Sequence, residues 1–291
     1  MFDIKKYVKQ TEDIIRKYLP KEEGYQKTIF EAMNYAVNGG GKRLRPILML
    51  KTFEGFEGKS QAIEPFMAAI EMIHTYSLVH DDLPALDNDD YRRGRETTHV
   101  VYGLGMGILA GDALLNYAFE TAMQAFELDD LDVVRRALEI LVKKPGVYGM
   151  IGGQVVDVEK SGGAMDKDEL EFVFRCKTAA LIEAAMMIGA VLGRASVKEQ
   201  EKVEQIARNI GIAFQIQDDI LDITSTTLEL GKPVHSDERN LKTTYVTLYG
   251  MERAKQDVLV YSNKAIEEIR TLHGNHEELI ELVSLMINRK K

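Results

Sequence analysis

The spacing of apolar residues is the feature that most restricts how this chain can fold. Apolar side chains recur at intervals of three and four residues, as in "VEQIARNIGIAFQIQDDILDI", where Val203, Ile206 and Ile210 lie on one helical stripe. The segments "DELEFVFRCKTAALIEAAMMIGAVLG" and "QAIEPFMAAIEMIHTYSLVHDD" have the same spacing. No segment shows the sustained alternation of a half-buried strand. The sequence therefore predicts an all-α fold of ten or more helices.

No part of the sequence separates this helical pattern into domains. The six prolines are spread along the chain and act as helix starts, kinks or stops. Internal repeats, low-complexity tracts and long linkers are missing from the sequence. The 291 residues, 45% of them hydrophobic, supply enough apolar material for a sizeable core. We therefore expect a single domain over residues 1–291.

Composition indicates the compartment and excludes several classes of protein. The balance of 37 basic and 46 acidic residues gives a net charge of −9, which disfavours nucleic-acid binding. A single cysteine, Cys176, excludes an internal disulfide framework and fits a reducing compartment. The longest stretch without Asp, Glu, Lys or Arg, residues 97–111, is too short and too rich in glycine for a membrane span. The first residues show no signal peptide. We expect a cytoplasmic protein without stable membrane insertion.

Two clusters of aspartates each follow an apolar helical segment. The first, "DDLPALD", contains Asp81, Asp82 and Asp87, and the second, "QDDILD", contains Asp218, Asp219 and Asp222. On a helix Asp218 and Asp222 are i and i+4, so they repel by about 0.2–0.5 kcal/mol even when exposed. Oxygen-only ligands without His or Cys favour Mg²⁺, which relieves this repulsion. A solvated acidic helix edge is the alternative for either cluster taken alone.

The proline in the first cluster has a chemical purpose if the cluster binds metal. Asp81 and Asp87 are six residues apart, so an ideal helix would place them about 120° from each other. Pro84 removes a backbone donor and crowds the carbonyl of His80. We expect a kink or bulge at this point that brings Asp87 beside Asp81.

Basic residues accompany both acidic clusters. "GGGKRLRP" carries Lys42 and Arg45 after three glycines, without the spacing of a Walker A sequence. "DYRRG" adds Arg92 and Arg93, whose guanidinium groups suit phosphate oxygens. The set is completed by Lys177 and Thr178, in an apolar helix where a lysine needs a partner, and by Lys232 and Lys242 downstream of the second cluster. An anionic ligand held by metals and cations together explains this distribution.

These motifs resemble those of the trans-isoprenyl diphosphate synthases, the farnesyl/geranylgeranyl diphosphate synthase family. "DDLPALDNDDYRRG" looks like the first aspartate-rich motif of the family, in the form with two extra residues, and "FQIQDDILD" looks like the second. "GGQVVDVE" and "FRCKTAALIEAA" resemble family segments between the two. The resemblance extends from "GGGKRLRP" to "LKTTYVTLYG". It implies an all-α fold around a deep apolar cavity, a homodimer, and condensation of isopentenyl diphosphate with an allylic diphosphate.

The resemblance also implies roles for particular residues. Three Mg²⁺ ions would be bound by Asp81, Asp82, Asp87, Asp218 and Asp222. The allylic diphosphate would be held by the metals and by Arg92, Lys177 and Lys232, with Thr178 and Gln215 nearby. Isopentenyl diphosphate would be held by Lys42, Arg45, His74 and Arg93. The segment "VHSDERNLKTT" departs from the family pattern at His235 and Asn240, where many members have glycine, so the substrate-binding role of Lys242 and the role of Asp237 are left open.

The chemistry implied is ionisation of a carbon–oxygen bond followed by carbon–carbon bond formation. Metals and arginines stabilise the departing diphosphate, while the dipoles of Thr178 and Gln215 face the allylic cation. The cavity must exclude water, which would trap that cation. The departing diphosphate takes the proton at the end. This scheme fits a sequence that shows no Ser-His or Cys-His pattern.

Two residues before the first aspartate cluster are expected to set product length. Ser77 and Tyr76 lie four and five positions before Asp81, about 6–7.5 Å deeper along a helix. In the family these positions influence chain length, and an aromatic residue at the earlier one accompanies short products. We therefore expect farnesyl diphosphate as product, with geranylgeranyl diphosphate second. The alternative is that Tyr76 is simply a core aromatic.

Several other functions remain to be distinguished. A terpene cyclase also uses an aspartate-rich motif, but its second metal motif differs from "DDILD", and it does not need a second diphosphate site. A non-catalytic metal-binding bundle of the ferritin type is suggested by the Glu-x-x-His pairs Glu71–His74 and Glu96–His99. His80–Asp81 suggests a metal phosphohydrolase, without supporting histidines elsewhere. A non-catalytic partner subunit would be expected to lack aspartates that this chain retains.

Overall fold

The computed structural model of the chain describes residues 2–224, 243–287 and 289. More than ten helices account for most of these residues, so the prediction of an all-α fold is confirmed. The strands among them are two short ones, β1 (Tyr91–Arg92) and β2 (Arg95–Glu96), paired antiparallel with Tyr91 opposite Glu96. This small hairpin directly follows the first aspartate cluster.

The chain divides into two compact units, which are described separately. The first comprises Asp3–Ile47 and Ser60–Val134, and the second comprises Leu48–Lys59 and the described residues from Arg135 onward, together with Phe2. The expectation of one domain over residues 1–291 therefore stays a prediction.

Helices of the first unit surround one helix that is buried along its length. They are α1 (Ile4–Tyr18), α2 (Lys27–Val37), the start of α3 (Leu44–Gly55), α4 (Ile63–Asp81), α5 (Thr98–Tyr102), α6 (Leu104–Met123), a 3₁₀ turn (Gln124–Glu127) and the start of α7 (Leu131–Lys143). Asp3 begins α1 by accepting the amide hydrogen of Lys6 at 3.2 Å. α4 is buried on most sides, which is the pattern of a core helix, and it packs against α6. α4 is therefore a fixed support for the residues at its C-terminal end.

The second unit contains the helices around the second aspartate cluster. They are α8 (Met150–Glu159), α9 (Lys167–Val173), a π-helical turn (Phe174–Ala179), α10 (Ala180–Leu192), α11 (Val197–Thr224), α12 (Tyr245–Tyr249), α13 (Met251–Ile269) and α14 (Glu277–Ile287). Side chains cap several of their N-termini; for example, Asp166 and Glu169 form a capping box on α9, and Thr244 and Thr247 form one on α12. α10 is buried on almost every side.

The predicted helix "DELEFVFRCKTAALIEAAMMIGAVLG" is interrupted by the π-helical turn. Such turns insert one residue into a helix and occur often at functional sites. Two glycines allow neighbouring helices to approach this turn closely. A Cβ atom at Gly153 of α8 would lie 2.3 Å from the backbone nitrogen of Lys177, and one at Gly211 of α11 would lie 2.4 Å from Cβ of Ala179. The close approach brings side chains of α8 and α11 next to Lys177 and Thr178.

None of the helices among the described residues is long and apolar enough to cross a bilayer.

Candidate active site

The first aspartate cluster begins where α4 ends, and a tight turn folds it back. α4 stops at Asp81, three residues before Pro84. The amide hydrogen of Asp87 is donated to the carbonyl of Asp81 at 2.9 Å, and that of Asp89 to the carbonyl of Asp82 at 3.2 Å. The backbone of Asp87 therefore lies beside that of Asp81, as we expected. A turn after the helix end, rather than a kink within a continuous helix, produces this return.

The middle aspartate of this cluster is engaged with an arginine of the following hairpin. Oδ1 of Asp82 accepts hydrogen bonds from Nε and Nη2 of Arg92 at 2.7 and 2.6 Å. The side chain of Asp82 is only 6% exposed. Burial raises the pKa of the Asp82 carboxyl, and the hydrogen bonds and charge of Arg92 act in the opposite direction. This pairing fixes the direction of the Arg92 guanidinium.

The glycine-rich loop before α3 lies against Arg93. Nη1 of Arg93 donates to the carbonyl of Gly40, and a Cβ atom at Gly41 would lie 2.5 Å from the same nitrogen. Gly41 has φ +133°, so both its conformation and its surroundings favour glycine. Lys42 is exposed on this loop. The loop and the second arginine of "DYRRG" are therefore in direct contact.

Arg45 and His74 meet within the same unit. Nη1 of Arg45 lies 3.3 Å from Nε2 of His74. Burial, reinforced by the positive charges of Arg45 and Arg93, lowers the pKa of His74 well below its ordinary value. A neutral imidazole here offers a hydrogen bond without adding to the positive charge of Arg43, Arg45 and Arg93. The four groups that sequence analysis assigned to isopentenyl diphosphate thus lie on the glycine-rich loop, at the start of α3, on α4 and in the turn of the β1–β2 hairpin.

The second aspartate cluster lies in the last turns of α11. Asp219 and Asp222 are buried, each with 4% relative exposure, whereas the side chain of Asp218 is 47% exposed. Asp219 is held at both oxygens: Oδ1 accepts from Nε2 of Gln215 at 3.0 Å, and Oδ2 accepts the amide hydrogen of Tyr245 at 2.7 Å. The middle aspartate of this cluster therefore ties α11 to the start of α12.

A hydrogen-bond chain leads from Asp219 to the π-helical turn. Oγ1 of Thr178 donates to Oε1 of Gln215 at 2.7 Å, and Gln215 in turn donates to Asp219. Lys177, in the same turn, donates to Oδ2 of Asp157 on α8 at 2.6 Å. The prediction that Lys177 needs a partner is confirmed, and the partner is Asp157. A cavity of about 100 Å³ is lined by these side chains, with Thr243 and Thr244 at its edge.

An arginine near the C-terminus contacts the second cluster. Nη2 of Arg289 forms an ion pair with Oδ1 of Asp218 and donates to the carbonyl of Phe214 at 3.2 Å. Its guanidinium carbon lies 3.6 Å from the centroid of the Phe214 ring, and the side chain is only 8% exposed. A cation therefore already occupies one side of Asp218.

Tyr76 and Ser77 lie in the last turns of α4. Tyr76 is 6% exposed, and its ring packs edge-on against that of His80 with centroids 5.8 Å apart. Burial and the charge of Asp81 raise the pKa of Tyr76 to about 12, so its hydroxyl stays protonated at any working pH. Ser77 Oγ donates to the carbonyl of His74 at 2.9 Å. Tyr76 is thus a buried aromatic directly before the first aspartate cluster.

The Glu-x-x-His pairs do not form di-iron ligand sets. Glu71 binds Arg43 with an Oε1–Nη1 distance of 2.7 Å, and His74 faces Arg45. Over residues 2–224, 243–287 and 289, no three His, Cys, Asp or Glu side chains converge as a preformed metal cage. The described residues therefore do not support the ferritin-type alternative.

Comparisons with known proteins agree with this geometry. The sequence model of the polyprenyl synthetase family matches residues 26–283. The chain belongs to the polyprenyl synthetase family. It is 41% identical over 283 residues to the farnesyl diphosphate synthase of Geobacillus stearothermophilus, covering 96% of this chain and 94% of that protein. It is 39% identical over 279 residues to a geranylgeranyl diphosphate synthase of Cyanophora paradoxa, covering 96% and 92%.

The polyprenyl synthetase fold is seen in a solved structure that resembles this one. A Helicobacter pylori geranyltransferase, crystallised with magnesium and isoprenyl diphosphate, superposes with a TM-score of 0.86 at 29% identity, covering 98% of this chain and 95% of that one. The predicted family resemblance and fold type are therefore confirmed.

Some predicted residues of this polyprenyl synthetase lie outside the described residues, and some contacting residues were not predicted. Lys232, His235, Asp237, Asn240 and Lys242 are in the first group. The second group consists of Asp157, Tyr245 and Arg289, together with Arg43, Glu71 and Asp219, which stand in the sequence motifs but were given no role in binding Mg²⁺ or diphosphate. Helical spacing offered a signal for Asp219, which is four residues after Gln215. No local pattern connects Arg289 with Asp218, because 71 residues separate them.

Proposed function

We propose that this polyprenyl synthetase makes farnesyl diphosphate by adding isopentenyl diphosphate to dimethylallyl and then geranyl diphosphate. It is a prenyltransferase by family, with relatives that are named for both C15 and C20 products. The observation that carries the C15 assignment is the buried ring of Tyr76, five residues before Asp81 on α4. Geranylgeranyl diphosphate synthase is the second candidate.

The acidic residues suit Mg²⁺ ions, three in number by analogy with the family. Both clusters lie at helix C-termini, where the helix dipole is already negative and each added carboxylate is unfavourable by about 0.3–1 kcal/mol. The donors are oxygens only, and Asp218 has already recruited a guanidinium. We assign Asp81, Asp87, Asp218 and Asp222 as ligands, and the assignment of Asp82 stays a prediction because Arg92 engages one of its oxygens. Bound Mg²⁺ would supply electrophilic stabilisation of the leaving diphosphate.

The residues around the allylic diphosphate bind and orient the leaving group. Arg92 is held by Asp82 and Lys177 by Asp157, so both cations are directed before substrate arrives. A preorganised cation stabilises negative charge that develops on the leaving oxygen without reorganisation during the reaction. Lys232 is assigned to the same substrate from the sequence.

The carbocation requires dipoles rather than a nucleophile. Thr178 gives its hydroxyl hydrogen to Gln215, so the lone pairs of Thr178 Oγ1 remain to face an allylic cation. Gln215 is itself fixed by Asp219. The departing diphosphate accepts the proton lost from C2 of the isopentenyl unit.

Isopentenyl diphosphate is assigned to Lys42, Arg45, His74 and Arg93. These residues give three permanent cations and one neutral imidazole, which suits a diphosphate that must stay bound and unreacted. A terpene cyclase would not need a second group of cations for a second diphosphate, so this grouping supports the synthase.

We also infer that the enzyme is a cytoplasmic homodimer. α6 exposes Leu104, Ile108 and Leu109, each about half accessible, on the side away from its buried Ala110 and Leu114. An apolar stripe of this kind is typical of a protein–protein contact. The single cysteine fits a reducing compartment, and the net charge of −9 disfavours nucleic acid as a partner.

One assay tests the proposal directly. Purified protein is incubated with Mg²⁺, labelled isopentenyl diphosphate and, separately, dimethylallyl, geranyl and farnesyl diphosphate. We expect C15 product from the first two substrates and little elongation of the third. Efficient C20 formation would favour the geranylgeranyl assignment. Cyclic hydrocarbon formed without consumption of isopentenyl diphosphate would favour a terpene cyclase.

A further inference from the structure

We propose that the buried pair Arg43–Glu71 positions the isopentenyl diphosphate subsite without touching the substrate. The inference rests on the proposed function, because it assumes that Lys42, Arg45 and His74 hold that diphosphate. Arg43 lies between two of these residues in the sequence, and Glu71 lies three residues before the third on α4.

The pair is buried, and both terminal nitrogens of the Arg43 guanidinium donate hydrogen bonds. Nη1 of Arg43 donates to Oε1 of Glu71 at 2.7 Å, and both side chains are 3% exposed. Nη2 of Arg43 donates to the carbonyl of Val37 at 2.7 Å, and it lies 3.6 Å from Oε1 of Glu12. Arg43 therefore connects the end of α2 with α4 and α1. Removing one partner of such a pair leaves an uncompensated buried charge.

The backbone of Arg43 has an unusual conformation. Its φ is +48°, in the left-handed region that residues other than glycine rarely adopt. This conformation persists where the surroundings fix it. It turns the Arg43 side chain into the protein, while the preceding Lys42 is exposed and Arg45 follows in the first turn of α3. The conformation of one residue thus sets the directions of two predicted ligands.

Two further arginines hold the same loop from its other side. Arg93 donates to the carbonyl of Gly40, and Arg95 donates to the carbonyl of Asn38 at 3.2 Å. Together with the bond from Arg43 to Val37, three backbone carbonyls between residues 37 and 40 accept hydrogen bonds from guanidinium groups. Arg43 differs from the other two because its charge is neutralised inside the protein by Glu71. We therefore assign it to positioning and leave the diphosphate to its neighbours.

Glu71 joins this anchor to His74. The two residues are i and i+3 on α4, so they lie on one face of the helix. His74 Nε2 is 3.3 Å from Arg45 Nη1. Arg43 is therefore linked to Arg45 through Glu71, the backbone of α4 and His74. Loss of the Arg43–Glu71 bond would loosen the loop that carries Lys42 and Arg45 and remove its link to the α4 face that carries His74.

Kinetics of Arg43→Lys and Glu71→Gln test the inference, with Arg45→Ala as the direct-contact reference. Lysine keeps the charge but cannot bind Glu71 and Val37 together, and glutamine keeps the shape of Glu71 without its charge. We expect each variant to raise KM for isopentenyl diphosphate by about tenfold, the equivalent of one charge-assisted hydrogen bond. KM for geranyl diphosphate should stay within about twofold, since those contacts are elsewhere. The double variant should cost less than the product of the single effects, because both remove one interaction.

Lys51→Arg is the matched control. Lys51 is a buried cation, 1% exposed, that pairs with Glu278 at 2.6 Å. Its substitution should lower the melting temperature without moving either KM, as expected of a purely structural ion pair.

The possible results separate the inference from the proposed function. If wild-type protein does not consume isopentenyl diphosphate, the proposed function fails. If it does, and folded Arg43→Lys or Glu71→Gln raises both KM values equally or neither, the positioning role is overturned. Cooperative melting identifies the folded variants, and Glu71→Gln, the closest in shape, decides alone if Arg43→Lys does not fold.

Discussion

The two aspartate clusters share one design and differ in how the chain builds it. In each, the middle aspartate is buried at 4% exposure and bound by the protein's own donors. Asp82 binds the side chain of Arg92, whereas Asp219 binds the side chain of Gln215 and the amide of Tyr245. An acidic triplet in the sequence therefore does not mean three equivalent metal ligands. In each cluster the middle aspartate orients other groups of the site.

The difference between the clusters lies in the backbone. Asp81 and Asp87 are brought together by a turn that begins at the end of α4, with Pro84 inside it. Asp218 and Asp222 are brought together by regular helical spacing in α11. The first arrangement depends on tertiary support of a turn, and the second depends only on the helix. Substitutions in the first cluster should therefore disturb the local structure more than substitutions in the second. Substitutions in both clusters should lower catalytic activity.

The largest effect is expected for the outer aspartates. Asp81→Ala and Asp218→Ala should each lower turnover by roughly a thousandfold or more, because each removes a ligand from metal that stabilises the leaving diphosphate. Steady-state rates and circular dichroism measure this, with the exposed Asp13→Ala as a control that should keep full activity. Wild-type activity in EDTA, or full activity in either variant, would refute the metal assignment.

A smaller effect is expected for Asp82→Asn. The amide keeps the shape but weakens the hold on Arg92, so KM for the allylic substrate should rise about tenfold. The Mg²⁺ concentration for half-maximal activity should not change. An Mg²⁺ requirement that shifts as far as in Asp81→Asn would instead make Asp82 a metal ligand, and the two clusters would then differ at their middle positions.

Asp219→Asn should change kcat rather than KM. Asp219 fixes Gln215, and Gln215 directs the hydroxyl of Thr178. Loosening an outer partner of this kind typically costs about 10–100-fold in activity. A less well-placed Thr178 should also allow more water capture, so the ratio of allylic alcohol to prenyl product should rise. Slower turnover with an unchanged product ratio would show that Asp219 only supports the fold.

Arg289→Gln should change the metal affinity of the second cluster only, and by only a few-fold. The arginine occupies one oxygen of Asp218, where it competes with a divalent ion. Removing a competing cation from a partly exposed carboxylate is worth about 0.2–1 kcal/mol. Mn²⁺ titration of substrate-free protein, followed by electron paramagnetic resonance, should therefore show slightly tighter binding. Weaker Mn²⁺ binding in the folded variant would mean that Arg289 supports the site instead.

Helical periodicity and residue chemistry predicted the fold and the two clusters. The all-α class follows from spacing alone, and the aspartates could be assigned because carboxylates at apolar helix ends are costly without cations. The roles of Asp82 and Asp219 could not be predicted, because their partners Arg92 and Tyr245 lie ten and twenty-six residues away. The contact of Arg289 with Asp218 depends on tertiary packing, which no local pattern records.

In two places the sequence did not predict the local backbone conformation. The π-helical turn at Phe174–Ala179 sits in a segment whose apolar spacing indicated one regular helix. The left-handed conformation of Arg43 is favoured by the buried carboxylate of Glu71 and by the end of α2, not by the residue type. In both places tertiary contacts override local propensity.

The last prediction compares substitutions in α4, the helix of the first cluster, with a substitution in α11, the helix of the second, by their effect on product length. α4 should line the cavity into which the chain grows, with Tyr76 closing it beyond fifteen carbons. Tyr76→Ala should then give C20 or longer products with turnover little changed.

Because truncating a buried aromatic costs about 3–5 kcal/mol of stability, Tyr76→Leu is a second variant that retains more packing. Ile206→Ala, fully buried on α11, is the matched control and should lose stability while the product stays C15. Chromatography of the dephosphorylated products measures chain length. If folded Tyr76→Ala and Tyr76→Leu both stop where the wild type stops, Tyr76 is a core aromatic only, and the C15 assignment loses its main support.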